Sequence, residues 1–272
     1  MNSLSLALVF SLVCCTAPRE SVGGAPAAEM QANTGFDQTH KVWTEVLAKH
    51  VEDDAFDYKA LKKEPVALNA YLASLEAVKL DDFSRWSKLE RYAFWIDAYN
   101  AYTVKRVVDA YPIASIKDLG DEKVSVWDRD FIALGSLAPD LKKSKLTLND
   151  IENKILRPEF KDARVHAAIN CASVGCPPLR NEAFVAERLD KQLDDSTKRW
   201  IADTRRNRFD AKKNTIEVCQ VFDWFKDDFV RDAKSVQAWI AKYAPADQAW
   251  LANASKPEIK YVEYSWKLNE KR

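Results

Sequence analysis

Ser87-Lys88-Leu89-Glu90-Arg91-Tyr92-Ala93-Phe94-Trp95-Ile96-Asp97-Ala98-Tyr99-Asn100-Ala101-Tyr102-Thr103-Val104-Lys105-Arg106-Val107-Val108-Asp109-Ala110-Tyr111 is the stretch on which the fold turns. Ser87 with Glu90 three residues on is a capping box, in which hydroxyl and carboxylate satisfy the free backbone N–H groups of a helix start. Pro112 ends the helix, because proline has no N–H to extend the ladder. Between them the aromatic and β-branched residues leave little polar face, which places a helix over 88–111 through the centre of the domain. Asp97 and Asn100, three apart, are neighbours on it. Polar groups on a buried helix need partners, so these two mark either structural hydrogen bonds or a site.

Working outward toward the N-terminus, Trp43, Val46, Leu47 and Val51 recur at helical spacing and predict an amphipathic helix over 37–51 that carries His40 and His50. A short extended piece at 56–58 precedes a helix that opens near Pro65 and buries Leu68, Leu72 and Leu75. On the other side, 131–137 and 145–148 alternate as strands do. Asn149 with Glu152 reads as the cap of a short helix, 150–156, stopped by Pro158. The compact apolar run 164–169 reads as a strand. A helix over 187–202, a hairpin across 211–214 into a strand 215–221, helices at 224–230 and 236–243 and a late strand at 261–266 complete the chain. With no repeat and no internal linker, the expectation is one α+β domain over 36–269, a central buried helix packed on a mixed or antiparallel sheet with helices around it.

The 272 residues, 47% of them hydrophobic, suffice for a large core. Lys plus Arg equals Asp plus Glu at 41 each, so no net field favours nucleic acid. The apolar run Leu4–Val13 has the length of a signal-peptide core and is too short to span a bilayer. Leu12-Val13-Cys14-Cys15 resembles a lipoprotein signal with Cys15 as acceptor, and Ala25-Pro26-Ala27-Ala28 suits ordinary cleavage equally well. Segment 16–34 reads as a tether. The chain is therefore expected to be exported, as a periplasmic, outer-membrane-anchored or secreted protein. Its membrane contact would come only through the lipid on Cys15, and its partner is an unidentified small molecule or envelope component.

Val165-His166-Ala167-Ala168-Ile169-Asn170-Cys171-Ala172-Ser173-Val174-Gly175-Cys176-Pro177-Pro178-Leu179 is the most unusual segment. Read as a strand running into a tight loop, it presents Asn170, Cys171 and Ser173 rigidly, with Gly175 supplying an unusual backbone angle and two prolines stiffening the exit. This segment and Phe94-Trp95-Ile96-Asp97-Ala98-Tyr99-Asn100-Ala101 resemble the family known as domain of unknown function 547. Tyr261-Val262-Glu263-Tyr264-Ser265-Trp266-Lys267-Leu268-Asn269, Phe222-Asp223-Trp224-Phe225 and the opening 40–43 are similar to it as well. The family pattern carries Asn where this chain has Asp97, which needs a donor partner or a raised pKa if buried. The resemblance implies a fold and a location, not a reaction.

Three readings of the loop follow. An envelope-associated binding or scaffold module would have Cys171 bonded to Cys176, with Asn170, Ser173, Cys176 and Arg180 as binding residues and Cys219 left unpaired. A hydrolase or acyl transferase of papain or transglutaminase type would use Cys171 as nucleophile, a histidine, nominally His166, as base, and Asn100 or Asp97 as the group that orients it. Strand geometry opposes that pairing, since five extended residues separate the two Cα atoms by ~16 Å and alternate residues face opposite ways. Zinc on His166, Cys171 and Cys176 has suitable ligand types but the wrong spacing, and no metal or cofactor is expected. The pairs Asp194-Asp195 and Asp227-Asp228 read as solvated helix faces, and Arg205, Arg206 and Arg208 as a surface patch.

Overall fold

A computed structural model describes residue 1 and residues 35–271. The apolar run 4–13, Cys15 and the 16–34 tether lie outside the described residues. Among the described residues no helix is long and apolar enough to cross a membrane.

The chain opens with α1 (Lys41–His50), which buries Trp43, Val46 and Leu47 as their spacing requires. A two-stranded antiparallel ribbon, β1 (Val51–Glu52) and β2 (Ala55–Phe56), turns it into α2 (Tyr58–Lys63). Then come α3 (Val66–Glu76), with Leu68, Leu72 and Leu75 buried, and α4 (Leu80–Arg85). The capping box forms as read. Ser87 Oγ accepts the Glu90 N–H, Glu90 Oε2 accepts the Ser87 N–H at 2.6 Å, and α5 (Lys88–Ala110) runs 23 residues from it. Fifteen of those residues are buried, so α5 is the axis of the larger apolar cluster, packed on α2 and α3.

The second cluster gathers α6 (Leu189–Ala202), the sheet β3 (Arg208–Asp210), β4 (Thr215–Cys219) and β5 (Glu258–Val262), and the helices α7 (Val221–Trp224), α8 (Lys226–Ala233) and α9 (Val236–Tyr243). The β3–β4 pair is antiparallel and β4–β5 parallel, so the sheet is mixed and the fold is a single α+β domain, as expected.

The late strand read at 261–266 forms at Glu258–Val262, and the helix read at 224–230 is split into α7 and α8. Three further segments depart from their sequence reading and shape the site. The alternating pieces at 131–137 and 145–148 meet only in one bridge, Ile132 to Leu146, because the chain doubles back at Gly135, where the backbone of Lys143 and Ser144 leaves no room for a Cβ. The short helix after Asn149 is instead a π-helix, Asp150–Phe160, that runs past Pro158. Its start is closed by Thr147 and Asp150, each accepting the other's N–H, rather than by Asn149 and Glu152. Glu152 is thereby released from capping and turned inward. The apolar run around His166 is a 3₁₀ helix, Ala163–Ala167, started by the Asp162 carboxylate on the Arg164 N–H. Short apolar runs read alike as strand or buried helix, and here the acid before the run decided for the helix.

Candidate functional site

The loop 170–179 is held from both sides. From α5, Asn100 Nδ2 donates to the Ala168 carbonyl at 2.9 Å and Oδ1 accepts the Asn170 N–H at 2.8 Å. Asn170 then knots the loop, donating to Pro177 O at 2.8 Å and accepting the Ala172 N–H at 2.8 Å. From the C-terminal tail, Ser265 O accepts the Gly175 N–H, Lys267 O accepts the Val174 N–H and the Asn269 N–H donates to Ala172 O. Arg206, 7% exposed and paired with Asp54 and Asp203, donates to Val174 O at 2.7 Å. It is a buried clamp and not a surface patch.

The left-handed residue of this loop is Ala172 (φ 59), not Gly175. Gly175 serves close approach, since a Cβ there would lie 2.9 Å from the Tyr264 ring. That approach sets the Tyr264 hydroxyl 3.0 Å from each sulfur of Cys171 and Cys176, which form a disulfide with Cα atoms 6.3 Å apart. Cys219 has no disulfide partner among the described residues and is buried, and burial pushes its thiol up to about 11.

Cys171 and Cys176 line a cavity of about 190 Å³ whose polar lining includes Tyr99, Glu152 and His166. Trp127, Trp224, Phe225, Tyr264 and Trp266 form its aromatic walls. His166 stacks on Phe225 at 4.1 Å, and its Nε2 donates to Asp228 Oδ2 at 2.8 Å. Arg157 and Arg231 also donate to Asp228, at 2.6 and 2.8 Å. Burial opposes the Asp228 charge, yet the bonds from His166 and Arg157 hold its carboxyl well below the usual range. Burial lowers the His166 pKa and outweighs the pull of Asp228, leaving a neutral ring at pH 7. With Nε2 keeping its proton and donating it to Asp228, Nδ1 carries the lone pair of a base. Glu152 is 7% exposed, and among the described residues its one side-chain hydrogen-bond partner is the Tyr99 hydroxyl at 3.3 Å. Burial lifts its carboxyl to about 7, against the smaller effects of Tyr99 and Arg157.

Of the residues singled out in the sequence, His166, Cys171 and Cys176 line this cavity. The ~16 Å objection to a Cys171–His166 partnership assumed a strand from His166 onward; His166 lies instead in the 3₁₀ helix Ala163–Ala167, and both residues line the cavity. Asn100, Asn170 and Ser173 are buried in the loop's own bonding, with Ser173 Oγ 3.4 Å from Cys171 O. Arg180 is taken up by Glu182, Ser196 and Asp195. Asp97 lies elsewhere, accepting the Phe184 N–H and facing His40 Nδ1 at 3.2 Å. Burial raises Asp97 well above the carboxylate range and lowers His40 to about 4, so this is a neutral pair and not an ion pair.

The group that orients His166 is Asp228, 6% exposed on α8, and not a solvated helix face. Its spacing in Lys226-Asp227-Asp228-Phe229 carried no hint of this, since only packing distinguishes it from Asp227. Tyr264, Trp266, Trp224 and Phe225 did carry a signal, for they lie in the closing and Phe222–Phe225 motifs that bear the family resemblance. No curated protein and no solved structure matches the chain. Residues 83–201, which span α5, Glu152, His166 and both loop cysteines, match the model of the family described as "Protein of unknown function, DUF547", the family that the chain's motifs resemble.

Proposed function

We propose that this protein is a cysteine-dependent hydrolase or acyl transferase, exported from the cytoplasm, whose nucleophile is Cys171 once an external dithiol has reduced the bridge to Cys176, giving two thiols and leaving that dithiol as a disulfide. The meeting of Cys171 and an Asp228-held His166 in one aromatic-walled pocket carries this reading. His166 Nδ1 takes the thiol proton, and the thiolate attacks an acyl carbon to form a C–S bond. As the tetrahedral adduct collapses, the bond to the leaving group breaks and His166 returns the proton to that group. Water or a second nucleophile then attacks the thioester, giving its proton to His166, and the C–S bond breaks as His166 returns that proton to the sulfur of Cys171. Asp228 fixes the tautomer and steadies the imidazolium formed between the two proton transfers.

Alkylation with iodoacetamide tests it. After mild reduction Cys171 is modified first, and the rate falls by about tenfold or more in His166→Ala and Asp228→Asn, the scale of general-base assistance. Equal rates at Cys171 in all three proteins, or no modification of Cys171 in the reduced protein, rule it out.

The disulfide itself favours a second reading, an envelope-associated binding or scaffold module in which the bridge is permanent. An intact mass unchanged by alkylation, with and without mild reductant, selects this reading over the first.

A further inference from the structure

We infer that the pocket binds an organic ammonium group, with Glu152 as counter-ion and the indole and phenol rings as walls. This deepens the proposed function, because it names the charge carried by the molecule presented to Cys171.

The first observation is what remains free in the lining. Asn149 Nδ2 donates to Asp128, Asn153 Nδ2 donates to Asn149 and Asn153 Oδ1 accepts from Arg157, so both amides are bonded among neighbours. The Tyr264 hydroxyl is held between the two sulfurs, and His166 Nε2 is held by Asp228. Glu152 is different. It is a buried carboxyl with a single long contact to Tyr99, and no lysine, arginine or histidine pairs with it among the described residues. Desolvation raises the pKa of a buried carboxyl that has no paired cation, and a cation entering the pocket favours its charged form.

The second observation is the arrangement of rings. Trp266 stands 5.2 Å from Trp127, 5.8 Å from Trp224 and 4.5 Å from Tyr264, centroid to centroid. Electron-rich faces attract cations, and Trp is the strongest of them. Lys117 already uses this cluster, with Nζ 4.8 Å over the Trp266 ring. A neutral sugar would also stack on indoles, but it needs several free hydrogen-bonding side chains, and those amides are engaged. At about 190 Å³ the cavity holds roughly six waters, which suits a small head group and not a polymer segment.

The test uses the full, oxidised protein and needs no turnover, so it is independent of thiol chemistry. Titrate n-butylammonium, and separately n-butanol, while following the tryptophan indole resonances by NMR. The expected result is saturable binding of the cation, with the alcohol at least about tenfold weaker, the scale of one charge-assisted contact. Glu152→Gln abolishes that preference, and Trp224→Ala weakens cation binding several-fold while keeping the preference. Both variants are checked for native near-UV dichroism, and Trp224→Ala carries the test if Glu152→Gln fails to fold. Equal binding of cation and alcohol, an undiminished preference in Glu152→Gln, or no saturable shift with the cation overturns the inference. Cys171 labelling controlled by His166 would survive any of those outcomes, whereas cation binding without such labelling would leave the site a binding pocket and refute only the catalytic reading.

Discussion

Replacing Glu152 by Gln should make the protein more stable at pH 8 than at pH 5 relative to the parent, and the size of that divergence follows from the site. In the folded chain burial holds the carboxyl at about 7, whereas in the unfolded chain it titrates near 4.5. Between those values the native state binds more protons than the unfolded state, so stability falls as pH rises, and it levels off above about 7. A gap of roughly 2.5 units at 1.36 kcal/mol per unit is about 3 kcal/mol. Glutamine keeps the shape and one acceptor toward Tyr99 but cannot ionise. The stability difference between Glu152→Gln and the parent should therefore grow by about 3 kcal/mol from pH 4 to pH 8, which corresponds to about 6–12 °C in Tm for a domain of this size. Urea unfolding at half-unit pH steps measures it, and titrations common to both proteins cancel in the difference. A difference that stays constant across the range would show that Glu152 is solvated in the folded protein, and the picture of a buried, unpaired acid would fall.

Other substitutions probe the frame around the site. Asn100→Ala leaves the Ala168 carbonyl and the Asn170 N–H without partners, which should cost about 2–4 kcal/mol in chemical unfolding. Gly175→Ala forces a methyl against the Tyr264 ring and should lose about 1–3 kcal/mol, with a change in near-UV dichroism as the ring shifts. Asp97→Asn exchanges a carboxyl that burial already keeps neutral for an amide of the same shape, so at pH 7 its stability should lie within about 1 kcal/mol of the parent. A loss above about 3 kcal/mol in that variant would mean that the Asp97 charge is present in the fold.

The elements legible in the sequence were those whose signals are local. The Ser87–Glu90 box, the Pro112 stop and the dense apolar run between them gave α5 to within a residue of its end. The spacing of Leu68, Leu72 and Leu75 gave the face of α3, and Val236–Tyr243 was bounded correctly. Reading failed where two local signals competed. Asn149 looks like a cap for Glu152, but Thr147 and Asp150 close the helix start between them, which leaves Glu152 as a pocket wall instead of a surface cap. Around His166 a run of small apolar residues fits strand and 3₁₀ helix alike, and the wrong choice placed His166 and Cys171 far apart. Asp228 was illegible for a different reason: Arg231 lies three residues on in α8, but the role depends on Arg157 and His166 arriving from separate segments, a coincidence that no window along the chain contains.

What the disulfide does can be weighed against what holds the loop without it. Closing so short a ring restrains the unfolded chain by about 2 kcal/mol in the chain-entropy account. Against that stand the two bonds to Asn100, the two made by the Asn170 side chain, the Arg206 bond to Val174 and three backbone bonds to the 265–269 tail. At about 1 kcal/mol net for each buried hydrogen bond, this set outweighs the bridge several-fold. Reduction should therefore release Cys171 as a thiol into an unchanged loop, with Tyr264 still over it and His166 still in the same pocket, and it should lower stability by only about 2 kcal/mol. Were the bridge the main support, reduction would instead loosen 170–179. Amide exchange of Ala172, Val174 and Gly175, compared between oxidised and reduced protein, distinguishes the two. Protection retained on reduction means a loop built to expose a thiol on demand. Protection lost means a loop built to keep its bridge, and the binding-module reading then holds.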